Sequence, residues 1–172
     1  MKKTIVPALI LTAICLVVVS LLVVTNLFTE DRIAEAEKKA MRESAESVLP
    51  AARLEELDGD GEGGYVGYGE DGSVVGYVLL GAAKGYGGDV TAIVGVTPDG
   101  KITGVVIKAP DETPGLGANV SKDSFANQFE GKDKVEDYDA VSGATYSSEA
   151  AKEAINLALS RLEGAKAKEA TK

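Results

Sequence analysis

The chain has no histidine, a single cysteine and a marked shortage of basic residues. Without histidine, Ser-His and Cys-His nucleophilic catalysis, His-ligated zinc and His-ligated haem are excluded. Cys15, alone and within an apolar run, permits neither a disulfide framework nor a cysteine-ligated iron–sulfur cluster. Any redox chemistry carried by this chain therefore needs an organic cofactor. The formal net charge of −9, from 18 Lys and Arg against 27 Asp and Glu, comes without a basic cluster, so nucleic acid is not an expected partner. In "LDGDGEGG", Leu57 to Gly64, Asp58 and Asp60 lack the closing glutamate of a calcium loop. That stretch reads as a turn, no metal site is expected, and no side chain stands out as a catalytic acid or base.

Charge is also missing from the whole of residues 5–28, "IVPALILTAICLVVVSLLVVTNLF", which exceeds the roughly 20 residues that cross a bilayer as a helix. A cleaved signal peptide fits less well, because its apolar region runs about 7–15 residues and ends in small ones. Ile14, before Cys15, argues against a lipidated cysteine. Lys2 and Lys3 precede the run and Glu30 and Asp31 follow it, so residues 1–4 are expected in the cytoplasm. The rest is then expected outside, held to the lipid bilayer of the cell membrane by one span.

The total of 172 residues leaves room for one further domain. Residues 29–63 read as a juxtamembrane helix and linker, rich in Glu, Lys, Arg and Ala, with Glu35 and Lys39 one helical turn apart and Pro50 as a stop. From Tyr65 the pattern changes to β-rich runs broken by "EDGS" and "PDGK", which predicts two hairpins. A short helix is expected over Lys122 to Phe129. A long one follows, with Ser147 or Ser148 as its cap and Ile155, Leu157, Leu159 and Leu162 facing the core. The expected fold class is α+β, an antiparallel sheet packed by helices over residues 64–163, with 164–172 as a flexible tail.

Three glycine-bearing segments remain: "KGYGGD" from Lys84, "ETPGLG" from Glu112, and "DAVSGATYSS" from Asp139. Taken singly, each has an ordinary explanation as a strand break, a Pro-Gly turn or a helix cap. Neither "GYGGD" nor "GLGAN" is a nicotinamide-type dinucleotide fingerprint on a strand–helix turn. Together, in this order and behind one apolar span, they make the chain resemble the FMN-binding domain family of the Rnf and Nqr respiratory complexes, over about residues 64–162.

The resemblance implies FMN attached covalently to Thr145 through a phosphoester bond. Asp139, Ser142, Gly143, Ala144 and Ser148 share that motif, and Ser142 and Ser148 are expected to offer hydroxyl donors. It further implies that Glu112, Thr113, Gly115, Leu116 and Gly117 lie beside the flavin, with Tyr86 and Gly87 as additional contacts. A phosphodiester at Thr145 would suit the start of a helix, where backbone N–H groups lack intrahelical partners. With no histidine to activate the threonine, attachment falls to a separate flavin transferase that uses FAD as donor. The implied role is a one-flavin relay within an ion-translocating oxidoreductase of the Rnf type, taking electrons from ferredoxin towards NAD, with other membrane subunits as partners. Two alternatives stand beside it: an Nqr-type subunit with quinone as acceptor, and a non-catalytic anchored domain that scaffolds an assembly or binds a solute. The chain departs from the family pattern at Pro110, where a histidine is common, and at Tyr146, where an apolar residue is common. Tyr146 can stack on the flavin or fill the core, and core is the expectation.

Overall fold

A computed structural model describes residues 2–57 and 64–170; Asp58 and Asp60 lie outside them. The chain divides into two compact units, one through Met41 and one from Arg42 onward. The first contains most of helix α1, Lys2–Val48, which is continuous through the segments read as separate membrane and juxtamembrane helices. Among the described residues, α1 holds the one stretch long and apolar enough to cross a membrane, Leu9–Asn26, and none of it is buried. The helix stops two residues before Pro50, whose ring disfavours helical backbone at Leu49.

The second unit is built on a five-stranded antiparallel sheet in which sequence neighbours pair in order: β1 (Arg53–Glu56), β2 (Tyr65–Tyr68), β3 (Val74–Lys84), β4 (Asp89–Val96) and β5 (Ile102–Lys108). The hairpins at "EDGS" and "PDGK" form as expected, joining β2 to β3 and β4 to β5. Each has a glycine at positive φ, Gly72 at 78° and Gly100 at 89°. Strand β1 corrects the reading of 29–63 as helix and linker. Its four residues are too short to show a period, and they pair with β2 through backbone groups that leave no mark in side-chain pattern.

Alternation along the strands gives the sheet two apolar faces. Tyr77 and Leu79 of β3, Val90, Ala92, Val94 and Val96 of β4, and Val105 and Ile107 of β5 belong to the main core with helix α3 (Thr145–Ser160). That helix presents Ala150, Ala151, Ala154, Ile155 and Ala158 to the sheet. The small alanines bring its backbone so close that a Cβ at Gly81 would collide with the Ala154 carbonyl and the Ala158 nitrogen. Leu162 is buried and Leu159 half-buried, but Leu157, expected in the core, is 41% exposed. A period of 3.6 residues turns it away from the stripe set by Ala154, Ile155 and Ala158.

On the other face the sheet carries two paired glycine couples, Gly67 with Gly76 and Gly95 with Gly104. They leave a furrow for the end of α1 and Leu49 just after it: side chains at Gly67 and Gly76 would meet Leu49, and at Gly95 and Gly104 would meet Val48. The Thr103 hydroxyl donates to the Val48 carbonyl at 2.6 Å, satisfying one of the open acceptors at the helix end. Ala45, Val48 and Leu49 are buried there.

Residues 164–169 of the stretch read as a flexible tail belong to helix α4, Leu162–Glu169. Leu162 and Ala165, one turn apart, are buried, and the Ala, Lys and Glu between and after them favour helix. Two substitutions of opposite sign test this packing. Gly81→Val should lower the unfolding free energy by about 1–3 kcal/mol or more, by driving α3 off the sheet. Gly164→Ala, in open space within α4, should raise it by about 0.5–1 kcal/mol. Chemical denaturation measures both, and a neutral Gly81→Val would contradict the close approach.

Candidate functional site

Between β5 and α3 the chain makes a long crossover over residues 109–144, mostly in short turns. It contains a 3-10 turn at Gly117–Ser121, helix α2 at Asp123–Ala126 and a second 3-10 turn at Asn127–Phe129, so the helix expected over Lys122 to Phe129 is broken into two pieces. Phe125, Phe129 and Tyr138 pack edge-on and tilted, with centroids 5.4–6.4 Å apart. Two side-chain amides hold the rest of the crossover by its backbone. Gln128 accepts from the Asp139 N–H at 2.7 Å and donates to its carbonyl at 3.2 Å. Asn156 of α3 does the same for Val135 at 3.1 and 2.9 Å.

These clips deliver the chain to a turn over Val141–Ala144, where Gly143 has φ of 77°, a conformation that disfavours any residue with a Cβ. The Ala144 N–H bonds back to the Val141 carbonyl at 3.0 Å. Ser148 fastens the same turn from inside α3: its hydroxyl donates to the Ala144 carbonyl at 2.9 Å and accepts from the Val141 N–H at 3.0 Å. Fully buried and used twice, Ser148 has no hydroxyl left for a ligand, which corrects its expected role. The helix cap expected at Ser147 or Ser148 is also corrected. Helix α3 starts earlier, at Thr145, and Ala144 at its N-cap provides no side-chain hydrogen bond. The first-turn N–H groups thus lack both intrahelical partners and a capping oxygen.

The second support of the site is Glu112, only 4% exposed and the one buried charged side chain among the described residues. Its Oε1 accepts from the Tyr86 N–H at 2.7 Å and the Gly87 N–H at 3.1 Å, and its Oε2 accepts from the Ser147 hydroxyl at 2.8 Å. One carboxylate therefore joins all three glycine-bearing segments. The glycines follow from this: a Cβ at Gly85 or Gly117 would strike the Glu112 oxygens, and one at Gly87 would strike the Asp111 carbonyl. Burial alone pushes this carboxyl up, but the donors from Ser147, Gly87 and Tyr86 outweigh it and hold it below the usual glutamate range.

Where the segments meet there is a cleft of about 300 Å³ lined by Tyr86, Glu112, Thr113, Leu116, Gly117, Gly143, Ala144, Thr145, Tyr146 and Ser147. Among the described residues beyond α1, the exposed large apolar side chains are Tyr86 (78%), Tyr146 (77%), Leu116 (48%) and Leu157; three of the four line this cleft. Tyr146, expected in the core, is instead at its rim, because the second position of α3 faces away from the sheet. Thr145 is exposed in the cleft. Of the other residues singled out from sequence, Gly87 contributes its N–H to Glu112 rather than a cleft wall. Gly115, with φ of 79°, forms the Pro-Gly turn in open space, and Ser142 is exposed outside the cleft. Asp139 lines a different hollow, of about 350 Å³, with Asn119, Lys122 and Gln128. Ser147 is the cleft residue whose part in the site sequence reasoning missed: its partner lies 35 positions away, and no local pattern links them.

The Glu112–Ser147 bond should be visible in the pH dependence of stability. Because the folded carboxyl titrates below its unfolded value, its contribution is complete above the ordinary glutamate range and is lost as pH falls through the lowered value. Ser147→Ala should cost about 1.5–3 kcal/mol near neutral pH, as expected for a hydrogen bond to a charged group, and less in acid. Urea titrations of both proteins across pH check this; an identical loss at neutral and acidic pH would contradict a charge-assisted bond.

Residues 85–160 match the FMN-binding domain family, and residues 1–48 match the RnfG N-terminal region. The chain is 40% identical over 99 residues to the G subunit of the proton-translocating ferredoxin:NAD(+) oxidoreductase complex of Clostridium ljungdahlii, covering 51% of this chain and 54% of that one. It is 35% identical over 144 residues to the G subunit of the ion-translocating oxidoreductase complex of Methanosarcina acetivorans, covering 73% and 74%. The match thus spans about half of the Clostridium relative but nearly three quarters of the Methanosarcina one. The crystal structure of NqrC from Shewanella oneidensis shares the fold, with a TM-score of 0.53 and 24% identity over 60% of each chain. An RnfG-type N-terminal region, an FMN-binding domain and a Methanosarcina relative matched along most of its length together make this chain a member of the RnfG family.

Proposed function

We propose that this chain is the FMN-carrying electron-transfer subunit of a membrane-bound, ion-translocating ferredoxin:NAD oxidoreductase, with the flavin held by a phosphoester to Thr145. The observation that carries the reading is the meeting of an exposed threonine with the uncapped start of α3, in the cleft where the three glycine-bearing segments converge. The residues present fit the group. The N–H groups of the first helical turn suit a phosphate, and Tyr86, Leu116 and Tyr146 offer the exposed apolar surface that a planar ring system needs. Bound FMN supplies the redox chemistry that the chain's own side chains lack.

Attachment joins the Thr145 oxygen to the flavin phosphate and breaks the pyrophosphate of FAD, with AMP leaving. The chain has no histidine to take the hydroxyl proton, and Glu112 is engaged by three donors, so a flavin transferase supplies the base. Thr145 makes no capping bond, so its loss leaves the fold alone. Co-expressed with a flavin transferase, the wild-type protein should give a fluorescent band in a denaturing gel. Thr145→Ala should give none at an unchanged melting temperature. Thr145→Ser, which keeps the hydroxyl without the β-methyl that restricts its rotamer, should give a weaker band. Persistent fluorescence in the alanine variant would sink the assignment.

The partners in this reading are the other membrane subunits of the complex, reached through the apolar run of α1. Lys2 and Lys3 before that run and the acidic residues after it favour a cytoplasmic N-terminus and an extracytoplasmic flavin domain. Protease added to intact spheroplasts should then remove the domain while cytoplasmic markers survive. Digestion only after lysis would reverse the orientation.

A further inference from the structure

Among the residues that line the cleft, Glu112 alone carries a charge at neutral pH. No cation pairs with it in any ion pair among the described residues; its partners are two backbone amides and a serine hydroxyl, all donors. Three donors on two oxygens fix the group as a carboxylate and leave it no proton to give. A negative charge so placed is shielded from water and uncompensated by a counter-charge, which is where a fixed charge acts most strongly on its surroundings. The opposing field comes from the start of α3, and a phosphate attached at Thr145 brings its own negative charge to that end.

We propose that Glu112 is an electrostatic tuning residue, whose buried carboxylate lowers the reduction potential of a flavin attached at Thr145. The inference rests on the reading of Thr145 as the flavin site. Reduction that takes up two electrons from a reductant and one proton from solvent leaves the flavin ring with one more negative charge than its oxidised form. A fixed negative charge beside the acceptor opposes the arrival of electrons and so favours the oxidised form. Charge close to the ring is among the levers by which proteins set flavin potentials. A low potential suits a relay fed by a strong reductant. The geometry also explains why the charge is tolerated without a counter-ion: the same three bonds that shape the cleft stabilise the carboxylate within it.

The test is a reductive titration of the full-length protein, loaded by a flavin transferase in membranes or detergent, against redox dyes. Flavin content is read independently from denaturing-gel fluorescence. Glu112→Gln preserves size and removes the charge, and its potential should move to a more positive value than wild type. Glu112→Asp keeps the charge, and its potential should stay on the wild-type side. Equal potentials in wild type and Glu112→Gln, both carrying covalent flavin, would overturn the proposal while leaving the flavin site intact. Absence of covalent flavin from the wild type would instead overturn the reading on which it rests. If neither variant accepts flavin where the wild type does, Glu112 serves only to build the cleft, and the tuning role is overturned.

Discussion

A single buried carboxylate holds the functional end of this domain together. Glu112 joins the backbone after β3, its own crossover segment and the first turn of α3 through three hydrogen bonds. Buried charge is costly unless every lone pair finds a donor, and removing one donor leaves the others to stabilise a partly satisfied ion. The three bonds therefore stand or fall together. They also dictate composition: the glycines at 85 and 117 are required because the carboxylate occupies the space their side chains would need. Segments that read as separate glycine motifs are one packing unit around one anion.

Behind that unit the sheet acts as a two-sided platform. Alanines on α3 and a glycine on β3 bring helix and sheet into backbone contact on one face, and paired glycines across β2–β3 and β4–β5 receive the last turn of α1 on the other. Close approach on both faces leaves little room to slide, since protein interiors tolerate added volume poorly. The start of α3 is thus fixed from below by the sheet and from the side by Ser148, which ties Val141 and Ala144 into the turn before Thr145. Thr145 itself is left exposed, with structural work done by its neighbours.

Much of this was legible in the sequence, and the limits have physical causes. The apolar run, the two Gly-containing hairpins, the α+β class and the family resemblance rest on local patterns, which a sequence displays directly. Tyr146 and Leu157 misled because an apolar residue near a helical stripe reads as core, while one residue's rotation of about 100° decides between core and surface. Strand β1 and helix α4 were missed because their stabilisation comes from pairing and docking rather than from their own periodicity. Ser148 read as a ligand donor because a motif shows which residues recur together but not which way a hydroxyl points. Ser147 stood in the motif as a cap candidate, but nothing local shows that its hydroxyl bonds a carboxylate 35 positions distant.

The central claim is that these contacts exist to present Thr145 for flavin attachment. Tandem mass spectrometry of the protein purified from its own membranes tests it most directly. Trypsin should release the peptide from Val135 to Lys152, which contains Thr145 together with Ser142, Ser147, Ser148, Tyr138 and Tyr146 as competing hydroxyls. The account predicts one FMN per peptide, with fragment ions that place it on Thr145. An unmodified peptide, or fragments that put the flavin on any of the other hydroxyls, would contradict it.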